Sequence, residues 1–446
     1  MNRLLITGTG SGCGKTTVTC ALLSASKAHG IIPTAFKCGP DYIDPMFHRA
    51  VSGISAYNLD PFFLDGDGLR AHLAANAGAL AVIEGAMGYY DGIAATDEAS
   101  AYTVARETGT PVILVVSARG VGSSLAALME GFARHRPDSN IKGVIFNDAA
   151  QSRYNDLERI AADAGLHAYG CLPRSEEWAL PSRHLGLMTA DEISDLQGRL
   201  AKLRQQAKLT LDIDGLLALA KTAKAISAAP VTNRSHETLV RLAVARDEAF
   251  CFRYEENMQL LQSLGCELQF FSPIHDNLLP ENINGLYLCG GYPELHLGAL
   301  SENISMLKSI RDAVSSGLPT IAECGGFMYL HETIGSETMI SAPMCGIIRG
   351  AAFETKRLQK FGYHTLTAVR DNLLCKAGES IRAHEFHYWD SPSPGDGFIA
   401  QKAGRDISHP CVHATESLYA GFPHLFFPAN PTFAERFVER MMLYEG

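Results

Sequence analysis

Short apolar, β-branched runs alternate along the chain with stretches of helical period, the pattern of parallel strands joined by crossover helices rather than of a bundle or a sandwich. In the first half the strand-like runs are Leu4 to Thr7, Thr34 to Cys38, Leu80 to Glu84, Pro111 to Ser117 and Lys142 to Asn147. Between the first two, Val18, Ala21, Leu22, Ala25 and Ala28 recur at helical spacing, and Gly30 supplies a stop. A helical pattern covers Leu200 to Lys224, after which Ala225 to His236 turns small and polar and loses its period. A domain boundary is expected there, giving domains 1–230 and 237–446. Strand-like runs resume at Leu242 to Ala245, Leu268 to Ser272, Gly285 to Leu288 and Pro319 to Ala322. The second half is therefore a further α/β unit, and the fold class is α/β with two domains.

Composition narrows the function without naming it. The 446 residues carry 38 Lys plus Arg against 48 Asp plus Glu, a formal charge of −10, which argues against a nucleic-acid binder or a polybasic membrane-surface protein. The N-terminus places only Met1, Leu4, Leu5 and Ile6 before a glycine loop, too little for a secretory signal. No uncharged apolar run approaches the roughly 20 residues that span a bilayer. Eleven cysteines are scattered without one Cys-x-x-Cys pair. A reducing, cytoplasmic enzyme with mostly buried thiols is expected.

Two segments carry the chemistry. The loop Gly8-Thr-Gly-Ser-Gly-Cys-Gly-Lys-Thr-Thr17 follows a strand and opens a helix, the context of a P-loop. Backbone N–H groups at Gly10, Gly12 and Gly14, with Thr17 at the helix start, would cradle phosphate. Lys15 would neutralise β and γ charge, and the Thr16 hydroxyl would ligate Mg²⁺. The loop departs from the strict spacing, which wants glycine at position 9 and finds Thr9; the alternative is a glycine-rich turn that binds nothing. Glu84 ends an apolar strand, where a carboxylate is costly unless paired or coordinated, so a metal role is expected. In Phe36 to His48, Lys37 could reach phosphate, while Asp41 or Asp44 could serve Mg²⁺ or the site of an acceptor carboxylate; a solvated turn is an equal reading. Gly85 to Gly92 is a glycine-rich loop with Asp91, able to approach a ligand closely.

In the second half, Pro319-Thr-Ile-Ala-Glu-Cys324-Gly-Gly runs from a strand through a cysteine into a helical pattern. This is a nucleophile elbow that would aim a helix N-terminus at Cys324 and lower its thiol pKa. Gly290 and Gly291, ending another strand, suit an oxyanion hole. His424, in an apolar run near the end of the sequence, reads as a core histidine on its own and as the general base once set opposite a reactive cysteine.

Several segments together resemble the cobyrinic acid a,c-diamide synthase family: Lys37-Cys-Gly-Pro-Asp-Tyr-Ile-Asp-Pro45, Glu84 to Gly92, Leu180 to Leu187, Ala243 to Phe250, Gly290-Gly-Tyr-Pro-Glu294 and His384-Glu-Phe-His387. They run in order across nearly the whole chain. The resemblance implies a P-loop domain similar to dethiobiotin synthetase followed by a flavodoxin-like class I glutamine amidotransferase domain. It implies ATP- and glutamine-dependent amidation of the a and c acetates of cobyrinic acid through acyl phosphates, in cobalamin biosynthesis. Carried over by residue, Lys15 and Lys37 touch phosphates, Thr16, Asp41 and Glu84 hold Mg²⁺, and Asn147 reads the adenine. Asp41, Tyr42, Asp44 and Asp91 lie around the acceptor carboxylate, and Cys324 and His424 hydrolyse glutamine. The carboxylate usual two residues after the histidine is here Phe426, so another group must orient His424: a backbone carbonyl, Glu416, Glu385 or His387. Arg183, His184 and Arg246 are candidates for positive charge toward a polycarboxylate substrate.

The competing readings are the same reaction on hydrogenobyrinate or nickel-sirohydrochlorin, and a nucleotide-switch protein with a non-catalytic glutaminase-like domain. Cobyric acid synthase fits the motifs less well. Neither nucleic acid nor membrane is expected as a partner, and a homodimer is compatible with the sequence.

Overall fold

Consecutive apolar residues in the N-terminal strands serve two cores at once. Leu4 and Ile6 pack into one buried cluster and Leu5 into another, on the opposite face of the sheet. A parallel sheet covered by helices on both faces demands such uninterrupted apolar runs. The computed structural model describes residues 1–180, 182–183, 186–187, 189–226, 239–336 and 341–444. The chain divides into two units, Met1–Val231 and Thr232–Gly446.

In the first unit, β1 (Asn2–Gly8), β2 (Pro33–Cys38), β3 (Ala56–Leu59), β4 (Leu80–Glu84), β5 (Val112–Ser117), β6 (Ile141–Asn147) and β7 (His167–Leu172) form a parallel sheet in the order β3-β2-β4-β1-β5-β6-β7. All five expected strands are present. The two that the pattern does not announce, β3 and β7, are the edges: β3 is only four residues long with Asn58 inside it, and β7 starts on an exposed histidine and contains Gly170 at φ 118°. Edge strands need less apolar sequence, so they leave a weaker signal. The expected helix over 200–224 is two helices, Leu196–Thr210 and Ile213–Ala220. Asp212 breaks the run because its carboxylate caps the second helix, accepting from Gly215 N at 2.9 Å, while its own N–H bonds the Tyr169 carbonyl. A short hairpin, β8 (Ser182–Arg183) and β9 (Gly186–Leu187), lies in this unit.

The second unit holds two sheets around one buried cluster. Strands β10 (Val240–Ala245), β11 (Cys266–Phe271), β12 (Gly285–Leu288) and β13 (Thr320–Glu323) are the expected parallel core, in the order β11-β10-β12-β13. A second, mixed sheet was not foreseen: β14 (His331–Gly335), β15 (Ala342–Pro343), β16 (Ile348–Ala368), β17 (Ser380–Asp390), β18 (Phe398–Lys402) and β19 (Ser408–Cys411). The chain then returns as β20 (His413–Ala414) and β21 (Leu418–Gly421), which extend the first sheet beside β13, and as β22 (His424–Leu425), which joins the second beside β17. The 21-residue β16 alternates irregularly because its pairing with β17 shifts register twice between Glu354 and Gly362. That irregularity hides a strand from a period-2 search.

All eleven cysteines are free, and every one except Cys251 is buried. No helix among the described residues is long and apolar enough to cross a membrane.

Candidate active sites

The parallel register brings the first site together. Lys37 lies opposite Glu84 across β2 and β4, and Ile6, two residues before the loop, lies opposite Glu84 across β1 and β4. The P-loop leaves β1 and enters the helix Lys15–Ala28, whose N-cap Gly14 adopts φ 98°, a left-handed conformation that favours glycine. A methyl group there would also strike the Asn147 side chain at 2.1 Å. Asn147 Nδ2 donates to the Cys13 carbonyl at 3.1 Å, which makes Asn147 a brace of the loop. Lys15 Nζ donates to the Gly10 carbonyl at 2.8 Å, curling its side chain back over the loop.

Behind the loop sits a charged cage. Thr16 Oγ1 donates to Glu84 Oε1 at 2.7 Å and lies 3.4 Å from Asp44 Oδ1. Lys37 Nζ is 3.0 Å from Glu84 Oε1, pairs still more closely with Asp44, and stands 4.0 Å from Asp41. The other oxygen of Glu84 bonds His48 Nε2 at 2.7 Å, with both side chains fully buried. Burial alone would push Glu84 up, yet Lys37, His48 and Thr16 hold it well below the usual carboxylate range. Burial pulls the Lys37 ammonium down, and Asp44, Glu84 and Asp41 more than offset this, holding it well above its ordinary value. Asp44 is pushed up by burial and by Asp41.

The two aspartates of the cage stand differently. Asp41 Oδ1 accepts from the backbone N–H groups of Ile43 and Asp44 at 2.9 and 3.1 Å, so it caps the helix Ile43–Ser52. Asp44, on the first turn of that helix, is the carboxylate beside Thr16. Tyr42 is the residue before that helix. Asp91 is exposed and accepts from Gly88 N at 2.8 Å, closing its own loop. His48 escaped notice in the sequence because a histidine four residues after Asp44 on a helix reads as ordinary; only the fold carries it to Glu84. Of the residues proposed for positive charge, Arg246 is exposed and stacks over Phe270 with its guanidinium 5.1 Å from the ring centroid. The side chain of Arg183 and all of His184 lie outside the described residues.

The second site is built on strain. Cys324 has φ 48° and ψ −102°, a conformation sparsely populated by side-chain-bearing residues, between β13 and the helix Gly325–Tyr329. The glycines after it are required by space: a methyl group on Gly326 would meet the Leu288 carbonyl at 2.1 Å, and one on Gly325 would meet Gly291 N at 2.9 Å. Gly290 is bounded from another side by His424, whose Cε1 would lie 2.4 Å from an added methyl. The paired glycines after β12 therefore adjoin both the elbow and the histidine.

Two expectations change here. The Gly290 N–H, expected to face an oxyanion, instead donates to the Phe252 carbonyl at 3.1 Å. The thiol is pushed up rather than lowered: burial comes first, the charge of Glu294 next, and the Gly325 N–H opposes them only in part. A five-residue helix contributes little dipole against full burial.

His424 is 2% exposed, and its Nδ1 lies 3.6 Å from Glu323 Oε2. Glu385 bonds His387 at 3.0 Å and lies 3.4 Å from His409 and 3.8 Å from His364. Glu416 is exposed. Phe426 is fully buried with its ring edge-on to Tyr254, 5.1 Å between centroids.

Both halves of the chain are similar in sequence to known proteins. Residues 4–187 match the CobQ/CobB/MinD/ParA nucleotide binding domain, and residues 241–431 match the CobB/CobQ-like glutamine amidotransferase domain. The chain is 37% identical over 444 residues to a cobyrinate a,c-diamide synthase of Caldanaerobacter subterraneus subsp. tengcongensis, covering 98% of this chain and 97% of that protein. It is 37% identical to the protein of that name from Clostridium acetobutylicum, covering 98% and 100%, and 39% identical to that of Listeria innocua serovar 6a, covering 97% of each. With both halves matched in order and nearly the full length shared, the chain belongs to the cobyrinate a,c-diamide synthase family of glutamine-dependent amide-forming ligases.

Proposed function

We propose that this chain converts the a and c acetate carboxylates of cobyrinic acid to amides, using ATP to activate each carboxylate and glutamine to supply nitrogen. The observation that carries the reading is the pairing, in one chain related end to end to cobyrinate a,c-diamide synthases, of a P-loop with a carboxylate cage and a strained cysteine elbow with a buried histidine.

Each half supplies one part of the chemistry. A carboxylate resists attack by ammonia, so residues 1–230 first transfer the γ-phosphoryl group of ATP to it, giving an acyl phosphate and ADP. The P-loop amides and Lys15 hold the phosphates. The cage fits a divalent cation: the Asp41, Asp44 and Glu84 carboxylates and the Thr16 hydroxyl gather hard oxygen donors around one ammonium. Thr16, Glu84 and Asp44 would hold Mg²⁺, which when bound neutralises phosphate charge. Lys37 would then turn to the phosphates, with Asp41, Tyr42 and Asp91 toward the acceptor.

Residues 237–446 generate ammonia where water and protons do not compete. The Cys324 sulfur attacks the glutamine amide carbon as His424 takes the thiol proton. His424 returns that proton to the leaving nitrogen, and water then cleaves the glutamyl thioester to glutamate. The Gly291 N–H would stabilise the oxyanion. Ammonia displaces phosphate from the acyl phosphate, so each amide consumes one ATP and one glutamine.

The test is to incubate the protein with ATP, Mg²⁺, glutamine and cobyrinic acid and follow product mass. Two successive acid-to-amide conversions, lost in Cys324→Ala with glutamine and restored with ammonium, are the expected result. Intact glutaminase and ATPase activity with no conversion would redirect the assignment to another tetrapyrrole acceptor.

A further inference from the structure

We infer that Glu323, the residue immediately before the nucleophile, is the positioning residue for His424 and takes over the part that Phe426 cannot play. The inference rests on the reading of Cys324 and His424 as the glutaminase pair.

Three observations carry it. Glu323 is 1% exposed, and an ionised carboxylate at such a depth needs partners. Its oxygens are held from two directions: Oε2 accepts from Tyr287 Oη at 2.9 Å, and Oε1 accepts from the backbone N–H of Leu425 at 2.9 Å. The second bond is made to the residue that follows His424, so the carboxylate anchors the backbone of β22 and fixes where the histidine stands. The same Oε2 that Tyr287 steadies lies 3.6 Å from His424 Nδ1, an ion-pair separation that closes to a hydrogen bond with a small movement of either ring or carboxylate. Burial and the adjacent Glu323 raise the Tyr287 phenol well above its ordinary value, so it remains a donor.

The topology explains why the carboxylate comes from this position. Strand β13 pairs with β21, opposing Glu323 to Gly421, and three residues later the chain enters β22. A strand residue next to the elbow points away from the side that exposes the nucleophile, yet it reaches the returning segment. Position 426 is then released for Phe426 to pack on Tyr254. Once the separation between His424 Nδ1 and Glu323 closes, donation from Nδ1–H to the carboxylate holds the tautomer that leaves Nε2 to take the Cys324 proton, and the carboxylate stabilises the imidazolium formed. The titratable groups beside His424 include Glu323 from β13 and His384, its cross-strand partner in β17. The glycines against its ring carry none.

The experiment compares wild type, Glu323→Gln and Cys324→Ala, each assayed with glutamine and with ammonium as nitrogen donor. In Glu323→Gln, kcat with glutamine should fall roughly 10- to 100-fold with KM for glutamine little changed. Ammonium-driven amidation should be retained, and the acidic limb of the glutamine kcat/KM profile should move to lower pH, because a negative charge beside the imidazole is gone. A merely structural role would not move that limb. Unchanged kcat and pH profile in Glu323→Gln, with Cys324→Ala inactive on glutamine, would overturn the inference and leave the dyad reading standing. Glutamine-driven activity surviving in Cys324→Ala would overturn the dyad reading itself. If Glu323→Gln fails to fold, Tyr287→Phe loosens the same carboxylate without removing it: a several-fold loss of kcat with glutamine supports the inference, and wild-type kcat overturns it.

Discussion

The two sites handle buried charge in opposite ways. Around the P-loop, Lys37, Asp41, Asp44, Glu84 and His48 make a cage in which the Glu84 carboxylate and the Lys37 ammonium keep each other charged. Around Cys324, the nucleophile is buried with its thiol pushed up, and the Glu323 carboxylate faces the histidine. The difference follows from the reactants. Phosphoryl transfer handles several negative charges at once and calls for a strong, preorganised field. Glutamine hydrolysis starts from a neutral amide and needs a thiolate only during attack, so a thiol held protonated until substrate arrives limits wasted turnover.

The largest effects should separate the sites cleanly. Cys324→Ala should lower glutamine-driven amidation by at least about 10³-fold while ammonium-driven amidation survives. Lys15→Ala should lower both by roughly 10²- to 10³-fold. Measuring both donors on both variants is the check, and any variant that fails to respect this division would break the comparison. A smaller loss, about 10- to 100-fold with either donor, is expected for His48→Ala, which leaves Glu84 short of a partner that holds it as a carboxylate; the apparent Mg²⁺ requirement should rise with it.

Acid should expose the contrast as stability. His331, bonded through its two ring nitrogens to the Phe327 carbonyl and Ser391 Oγ, is pulled down by burial to about 4, and its neighbour in kind, His384, to about 3. Both have an ordinary value of 6.5 and take up protons more readily unfolded than folded. The stability they lend is complete above pH 6.5 and declines as pH falls from there toward 4. Thermal unfolding of the second unit should lose about 2–4 °C per pH unit for each such histidine, and His331→Gln should flatten the slope. The smallest expected effect is kinetic: Cys324 in the protein without acceptor should react slowly with iodoacetamide at neutral pH and faster as pH rises, and its glutaminase turnover should be slow until acceptor binds. Rapid alkylation at pH 7, assigned to Cys324 by peptide mass, would contradict the raised thiol.

How much of this was legible in the sequence depends on whether the chemistry is contiguous. The P-loop, the strand ending in Glu84 and the Cys324 elbow are local: backbone conformation, glycine placement and the reactive residue lie within about ten positions, and strand-loop-helix patterning exposes them. The interior strands β1, β2, β4, β5, β6, β10, β12 and β13 were legible for the same reason, since burial on both faces demands unbroken apolar runs. Edge strands β3 and β7, the bulged β16 and the short β22 were not, because edges and bulges relax that demand.

What only the tertiary structure decided is which distant groups meet. The sequence by itself determined a phosphate-binding strand-loop-helix, a strained cysteine and two α/β domains, since these follow from local sterics and periodicity. It could not say that Asp44 rather than Asp41 stands beside Thr16, that His48 holds Glu84, or that Gly290 spends its N–H on Phe252. Nor could it show that a carboxylate facing His424 comes from position 323. Those pairings depend on sheet order and register, where β2 falls beside β4 and β21 beside β13, and a hydrogen bond across such a register has no counterpart in spacing along the chain.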